Sequence, residues 1–151
     1  MILAGDVGGT KVILAPIDPD VGATAIVAEQ RFETDGYDSQ EAIVRTFLSA
    51  GTAPGRADPH RGSSIDRACF GIACPIVDGE CRMTNLSWTL DRRSLAETLE
   101  IEQVAFINDL EATAYGVDAL GEDRIATLAG GDPRGPTAAI LAAGTGLGLR
   151  S

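Results

Sequence analysis

Basic residues are scarce in this chain. Of its 151 residues, Lys and Arg supply 12 and Asp and Glu 22, so the net charge is 12 − 22 = −10. An acidic surface repels nucleic-acid phosphates and anionic lipid headgroups, so neither a nucleic acid nor a membrane is an expected partner. No apolar run approaches the roughly 18 residues that suggest a membrane span. The segment Met1 to Asp6 has no basic region and reaches an acid early, unlike a secretory leader. Cysteine is also rare. Cys69, Cys74 and Cys81 are odd in number and contain no CxxC pair, which argues against a disulfide framework or a zinc site. Reduced thiols in a cytoplasmic protein are the expectation. The single histidine, His60, sits in a Gly-, Pro- and Arg-rich loop, so a histidine-based triad has no candidate. What is present is a globular balance, 44% hydrophobic and 23% charged, in a length that suits a domain of ordinary size.

Apolar patterning divides the chain into short elements. Ile2 to Val7 and Val12 to Ile17 flank Gly8-Gly9 and read as a hairpin, closed by Asp18-Pro19-Asp20. Ala25 to Phe32 reads as a third strand. Asp38-x-x-Glu41 has the spacing of a helix start, and Ile43, Val44, Phe47 and Leu48 give one apolar face up to Gly51. Residues 51–64 read as a loop. Ile65 to Cys74 reads as a central strand, with Pro75 and Asp78-Gly79 marking a turn. Ser94-x-x-Glu97 predicts a capping box for a short helix to Leu99. Val104 to Ile107 is a buried strand, after which Asn108-Asp109 starts a helix to about Leu120, with Leu110, Ala114 and Val117 on one face. Arg124 to Leu128 and Thr137 to Ala142 read as later strands. The order β-β-β-α-β-α-β-α-β-β describes a mixed α/β protein.

Three loops carry chemistry. Gly5-Asp6-Val7-Gly8-Gly9-Thr10-Lys11 joins two strands; its adjacent glycines let the backbone approach a ligand closely, and its N–H groups can face a phosphate. Asp6 would repel a phosphate unless a Mg²⁺ ion, held through water, lay between them. A tight hairpin with a capping Asp gives the same pattern. Gly144-Thr145-Gly146-Leu147-Gly148 follows an apolar strand and is G-x-G-x-G, neither a P-loop nor a dinucleotide fingerprint. A plain turn also accounts for it. Asn108-Asp109 places a carboxylate and an amide at a strand end, where α/β enzymes commonly keep reactive groups; both residues are also good helix caps. Asp109 could accept a proton from a hydroxyl, and Asn108 could bind one. Thr84-Asn85, after the Asp78-Gly79 turn, is a weaker polar spot.

Four segments, GDVGGTKVILAPID from Gly5, GIACPIVDGECRMTNLSW from Gly71, INDLEATAYG from Ile107 and AAGTGLG from Ala142, come in one order across nearly the whole chain. Together they resemble the bacterial glucokinase family, sugar kinases that share the actin-like, ribonuclease-H-like ATPase fold. The resemblance implies a mixed sheet flanked by helices, forming the amino-terminal small domain of a two-domain kinase over residues 1–109. Residues 110–151 would begin the large domain. It implies phosphoryl transfer from ATP to the 6-hydroxyl of glucose in the cytoplasm, as in glycolysis. Asp6 would help position Mg²⁺. Gly8, Gly9 and Thr10 would form one phosphate loop, with Lys11 beside it, and Gly144, Thr145 and Gly146 a second. Asn85, Asn108 and Asp109 would line the sugar site, with Asp109 as general base.

The chain stops at roughly half the length the resemblance implies. The expectation is therefore a fragment that binds glucose weakly without phosphorylating it, and that self-associates through an uncovered apolar face. Two other readings stand beside this one. A kinase of the ROK family (repressor, open reading frame, kinase) acting on another hexose or an amino sugar would share the phosphate loops. A non-catalytic, actin-like ATP-binding module would share the fold but not the Asn108-Asp109 pair.

Overall fold

The computed structural model describes residues 1–22, 24–50, 65–83, 86–132, 135, 139–143 and 147–150. Backbone contacts divide the chain into two compact units, Met1–Asp109 and Leu110–Ser151.

The first unit is built on a five-stranded sheet. Its strands are β1 (Ile2–Val7), β2 (Lys11–Ile17), β3 (Gln30–Glu33), β4 (Arg67–Ile72) and β7 (Gln103–Asn108), in the spatial order β3-β2-β1-β4-β7. β1, β4 and β7 are parallel, and β2 and β3 run antiparallel beside them. Two helices, α1 (Gln40–Ala50) and α2 (Arg92–Leu99), and a small hairpin of β5 (Glu80–Arg82) and β6 (Thr89–Asp91) complete the unit. The alternation of the strands decides which face the helices cover. Leu3, Val7, Val12, Leu14, Phe70 and Ile72 all point to one face and are fully buried. Ile43, Val44 and Phe47 of α1 and Leu95 and Leu99 of α2 join them in a single core. On the other face Ile2, Ala4, Ile13 and Cys69 are only half-buried.

Several expectations are corrected. The third strand is Gln30–Glu33 and not Ala25 to Phe32. β2 contains Pro16, which has no N–H to donate, so the β2–β3 ladder stops at Leu14↔Gln30. Beyond it the Pro16 carbonyl accepts from Val27 N–H at 2.9 Å and the Asp18 N–H donates to the Ala25 carbonyl at 3.1 Å. The start of α1 is shifted by one residue: Ser39 Oγ accepts from Ala42 N–H at 3.2 Å. Asp91, not Ser94, caps α2; one carboxylate oxygen accepts from Arg93 N–H at 2.6 Å and from Ser94 N–H at 3.2 Å. The Ser94 hydroxyl instead donates to Glu41 of α1 at 2.8 Å and ties the two helices together.

Cys74 and Cys81 form a disulfide with Cα atoms 6.2 Å apart, against the expectation of reduced thiols. The Asp78-Gly79 turn causes this. Asp78 at φ 53° and Gly79 at φ 85° reverse the chain, Val77 and Glu80 exchange backbone hydrogen bonds, and Cys81 is returned to the end of β4.

The second unit contains α3 (Asp109–Asp118, beginning at the last residue of the first unit) and a two-stranded ribbon of β8 (Ile140–Ala143) and β9 (Leu147–Arg150). No strand forms at Arg124 to Leu128. A 3-10 turn at Glu122–Arg124 is followed by irregular backbone, with Ile125 and Leu128 exposed. Leu147 and Gly148, read as loop, are in β9, opposite Ala143 and Ala142. The expected loop at 51–64 lies outside the described residues.

Candidate functional site

The parallel pairing of β1, β4 and β7 decides where the predicted residues sit. Asp6, Gly71 and Ile107 stand in one row across the three strands, and Val7, Ile72 and Asn108 stand in the next. The carboxyl ends of the three strands therefore finish level. The Gly8-Gly9-Thr10 turn leaves the end of β1, and Asn108-Asp109 ends β7, with only β4 between them. At about 4.8 Å per strand spacing, the two ends are roughly 10 Å apart. Hydroxyl-binding and phosphate-binding candidates far apart in sequence thus share one sheet edge within the first unit.

At the β1 end, the Gly8 N–H donates to the Lys11 carbonyl at 2.9 Å and closes a hairpin with Gly9 and Thr10 at its tip. Asp6, opposite Ile13 of β2, is exposed on the face away from the helices. Thr10 is exposed and Lys11 half-buried. The turn is braced by a residue the sequence did not single out. Thr34, directly after β3 and 4% exposed, donates its backbone N–H to the Thr10 carbonyl at 3.0 Å and its hydroxyl to the Gly9 carbonyl at 3.1 Å.

At the β7 end, Asn108 is half-buried on the same sheet face as Val7 and Ile72, and Asp109 is exposed as the first residue of α3. Asp6 belongs to the sheet face opposite that of Asn108.

Between them, β4 runs into Ala73 and Cys74, and Ala73 N–H donates to the Val7 carbonyl at 3.3 Å. The disulfide fastens the β5–β6 hairpin to this edge. Met83 and Trp88, both buried and joined by a 3.2 Å backbone hydrogen bond, hold the hairpin's far end. Asn85 lies between them in sequence and falls outside the described residues, as do Gly144, Thr145 and Gly146.

Among the described residues no group of three or more His, Cys, Asp or Glu side chains is placed to hold a metal ion. The exposed Asp6 carboxylate beside a backbone turn fits Mg²⁺, which keeps most of its waters and takes one or two carboxylates. A cleft of about 530 Å³, lined by Asp66, Arg67, Glu100 and Glu102 among others, lies at the amino ends of β4 and β7. It is at the opposite edge from the predicted residues. No helix of the described residues is long and apolar enough to cross a membrane.

The family model for glucokinase matches residues 3–151. The glucokinase of Synechocystis sp. is 39% identical over 97% of this chain, and that of Nostoc sp. 35% identical over 98%. The chain spans 42% of the length of each of these relatives. A crystal structure of glucokinase from an Antarctic psychrotroph superimposes with a TM-score of 0.77 at 27% identity, over 98% of this chain and 44% of that one. A ROK-family glucokinase from Streptomyces griseus, solved with glucose and AMPPNP, shares the fold at a TM-score of 0.64 and 20% identity, over 98% of this chain and 43% of that one. The mixed sheet is thus that of the sugar kinases with the actin-like ATPase fold. With the family model matching almost every residue, the chain belongs to the glucokinase family.

Proposed function

We propose that this chain is the amino-terminal part of a glucokinase, and that the complete enzyme transfers the γ-phosphoryl group of ATP to the 6-hydroxyl of glucose. Residues 1–109 serve as the small domain and residues 110–151 begin the large one. The observation that carries the reading is the level finish of β1, β4 and β7, which brings the Gly8-Gly9-Thr10 turn and Asn108-Asp109 to one edge.

Phosphoryl transfer asks little covalent chemistry of a protein. It needs phosphates and acceptor oxygen held in line and the developing charge stabilised. Gly8 closes the first phosphate loop, and Gly9 and Thr10, with Lys11 beside them, hold phosphate oxygens through their backbone N–H groups and the Thr10 hydroxyl. Gly144, Thr145 and Gly146 form a second phosphate loop. Asn108 and Asn85 bind sugar hydroxyls. Asp109 accepts the proton of the 6-hydroxyl as that oxygen attacks, a role commonly worth about 10²–10⁴-fold in rate. Asp6 would hold Mg²⁺ through water, and the ion would neutralise phosphate charge.

ATP turnover by the complete enzyme with glucose, mannose, fructose and N-acetylated amino sugars tests the reading. Glucose should give the highest kcat/KM. Preference for an amino sugar would favour the ROK reading, and sugar-independent hydrolysis the actin-like module. Residues 1–151 alone should bind glucose weakly without turnover; robust phosphorylation by this piece would overturn that part.

A further inference from the structure

We infer that Thr34 is a positioning residue of the first phosphate loop: it holds the Gly9 and Thr10 carbonyls back so that the Thr10 N–H faces the incoming phosphate. The inference rests on the kinase reading above and adds to it a residue outside the four sequence segments that carry the family resemblance.

The register of β2 with β3 pairs Lys11 with Glu33, which makes Thr10 the next partner of Thr34. An uninterrupted antiparallel ladder would join that pair by two hydrogen bonds, Thr34 N–H to the Thr10 carbonyl and Thr10 N–H to the Thr34 carbonyl. The first bond is made, at 3.0 Å. In place of the second, the Thr34 carbonyl accepts from Tyr37 N–H at 3.2 Å, and the Thr34 hydroxyl donates to the Gly9 carbonyl at 3.1 Å. Gly9 and Thr10 share one peptide plane, and no peptide bond among the described residues is cis. In a trans peptide the C=O and N–H point in opposite directions. With the Gly9 carbonyl turned toward Thr34, the Thr10 N–H must point away from it. The hydroxyl thereby converts what would be a ladder donor into a donor available to an anion. Thr34 is 4% exposed, so water competes poorly for this bond. Without the hydroxyl, the Gly9 carbonyl loses its partner and can turn its partial negative charge toward the phosphates.

The test compares Thr34→Val, which keeps the shape and deletes the hydroxyl, with Thr34→Ser, which keeps the hydroxyl, in the complete enzyme. Losing one hydrogen bond of this kind corresponds to about a threefold to tenfold change. KM for ATP should rise by that factor in Thr34→Val, with KM for glucose within about twofold of the unsubstituted value. Thr34→Ser should restore the ATP KM. Binding of adenosine, which has no phosphate, should be unchanged in both. An unchanged ATP KM in Thr34→Val, an equal rise in both KM values, or equal weakening of adenosine would overturn the inference. Should Thr34→Val fail to fold, Thr34→Ala carries the same expectations. Absence of hexose-dependent ATP turnover in the unsubstituted enzyme would instead overturn the kinase reading beneath it.

Discussion

Gly5 is the position where a single methyl group should do the most harm to the first unit. It lies in β1 between Leu14 of β2 and Phe70 of β4. The Phe70 ring is fully buried and meets Phe106 edge-on, with ring centroids 6.1 Å apart. The ring lies across the glycine. A Cβ added there would collide with Phe70 Cδ1, lie 2.8 Å from Cε1 and 3.3 Å from Leu14 Cδ2. Carbon atoms prefer about 3.5–4.0 Å, so the ring must retreat by roughly 1 Å. Its surroundings, Leu14 and Ile72 among them, are themselves fully buried and cannot yield without loss. Overpacking of this kind costs about 1–3 kcal/mol. For a unit of this size each kcal/mol moves the midpoint by about 4–8 °C, so Gly5→Ala should lower Tm by roughly 10 °C. Thermal denaturation of residues 1–151 followed by circular dichroism reads the shift directly. A second variant isolates the cause. In a Phe70→Leu background the collision is relieved, so the Gly5→Ala penalty should shrink by about 1 kcal/mol or more. A Gly5→Ala protein within about 0.5 kcal/mol of the parent, or strict additivity of the two changes, would refute the packing argument.

Asp91→Ala should cost about 1 kcal/mol, because two α2 backbone N–H groups lose their acceptor. Chemical denaturation checks it, and a near-neutral result would mean that another group caps α2. The Cys74–Cys81 disulfide closes a short loop, sequence separation 7, for which the chain-entropy relation gives about 2.5 kcal/mol. Reductant should therefore lower Tm of the parent by several degrees while leaving a Cys74→Ala/Cys81→Ala protein unmoved. Equal responses of the two proteins would show that the bond contributes nothing.

Local features were legible in the sequence because local chemistry sets them. The Ile2–Ile17 hairpin announces itself through two apolar runs flanking glycines, and α1 through Ile43, Val44 and Phe47 at helical spacing. What the sequence hides is long-range register. Nothing near Val104–Ile107 says that this strand pairs with β4, so the level edge joining Asn108 to the Gly8-Gly9 turn appears only in the fold. Thr34 is inconspicuous for the same reason: its role depends on which residue of β2 it faces. The disulfide was missed because counting cysteines is blind to a turn that folds residue 81 back onto residue 74, although Asp78-Gly79 between them was a usable signal. β5 and β6, three residues each, are too short to show a period. Arg124 to Leu128 shows the converse error, in which an apolar composition resembled a strand but the backbone is irregular and Ile125 and Leu128 are exposed.

The central claim is that the carboxylate at the end of β7 takes the proton from the sugar hydroxyl. Steady-state kinetics of the Asp109→Asn complete enzyme on glucose and ATP measure it directly. The account predicts kcat reduced by about 10²-fold or more with the fold intact and glucose still bound. A kcat within a few-fold of the unsubstituted enzyme would contradict it.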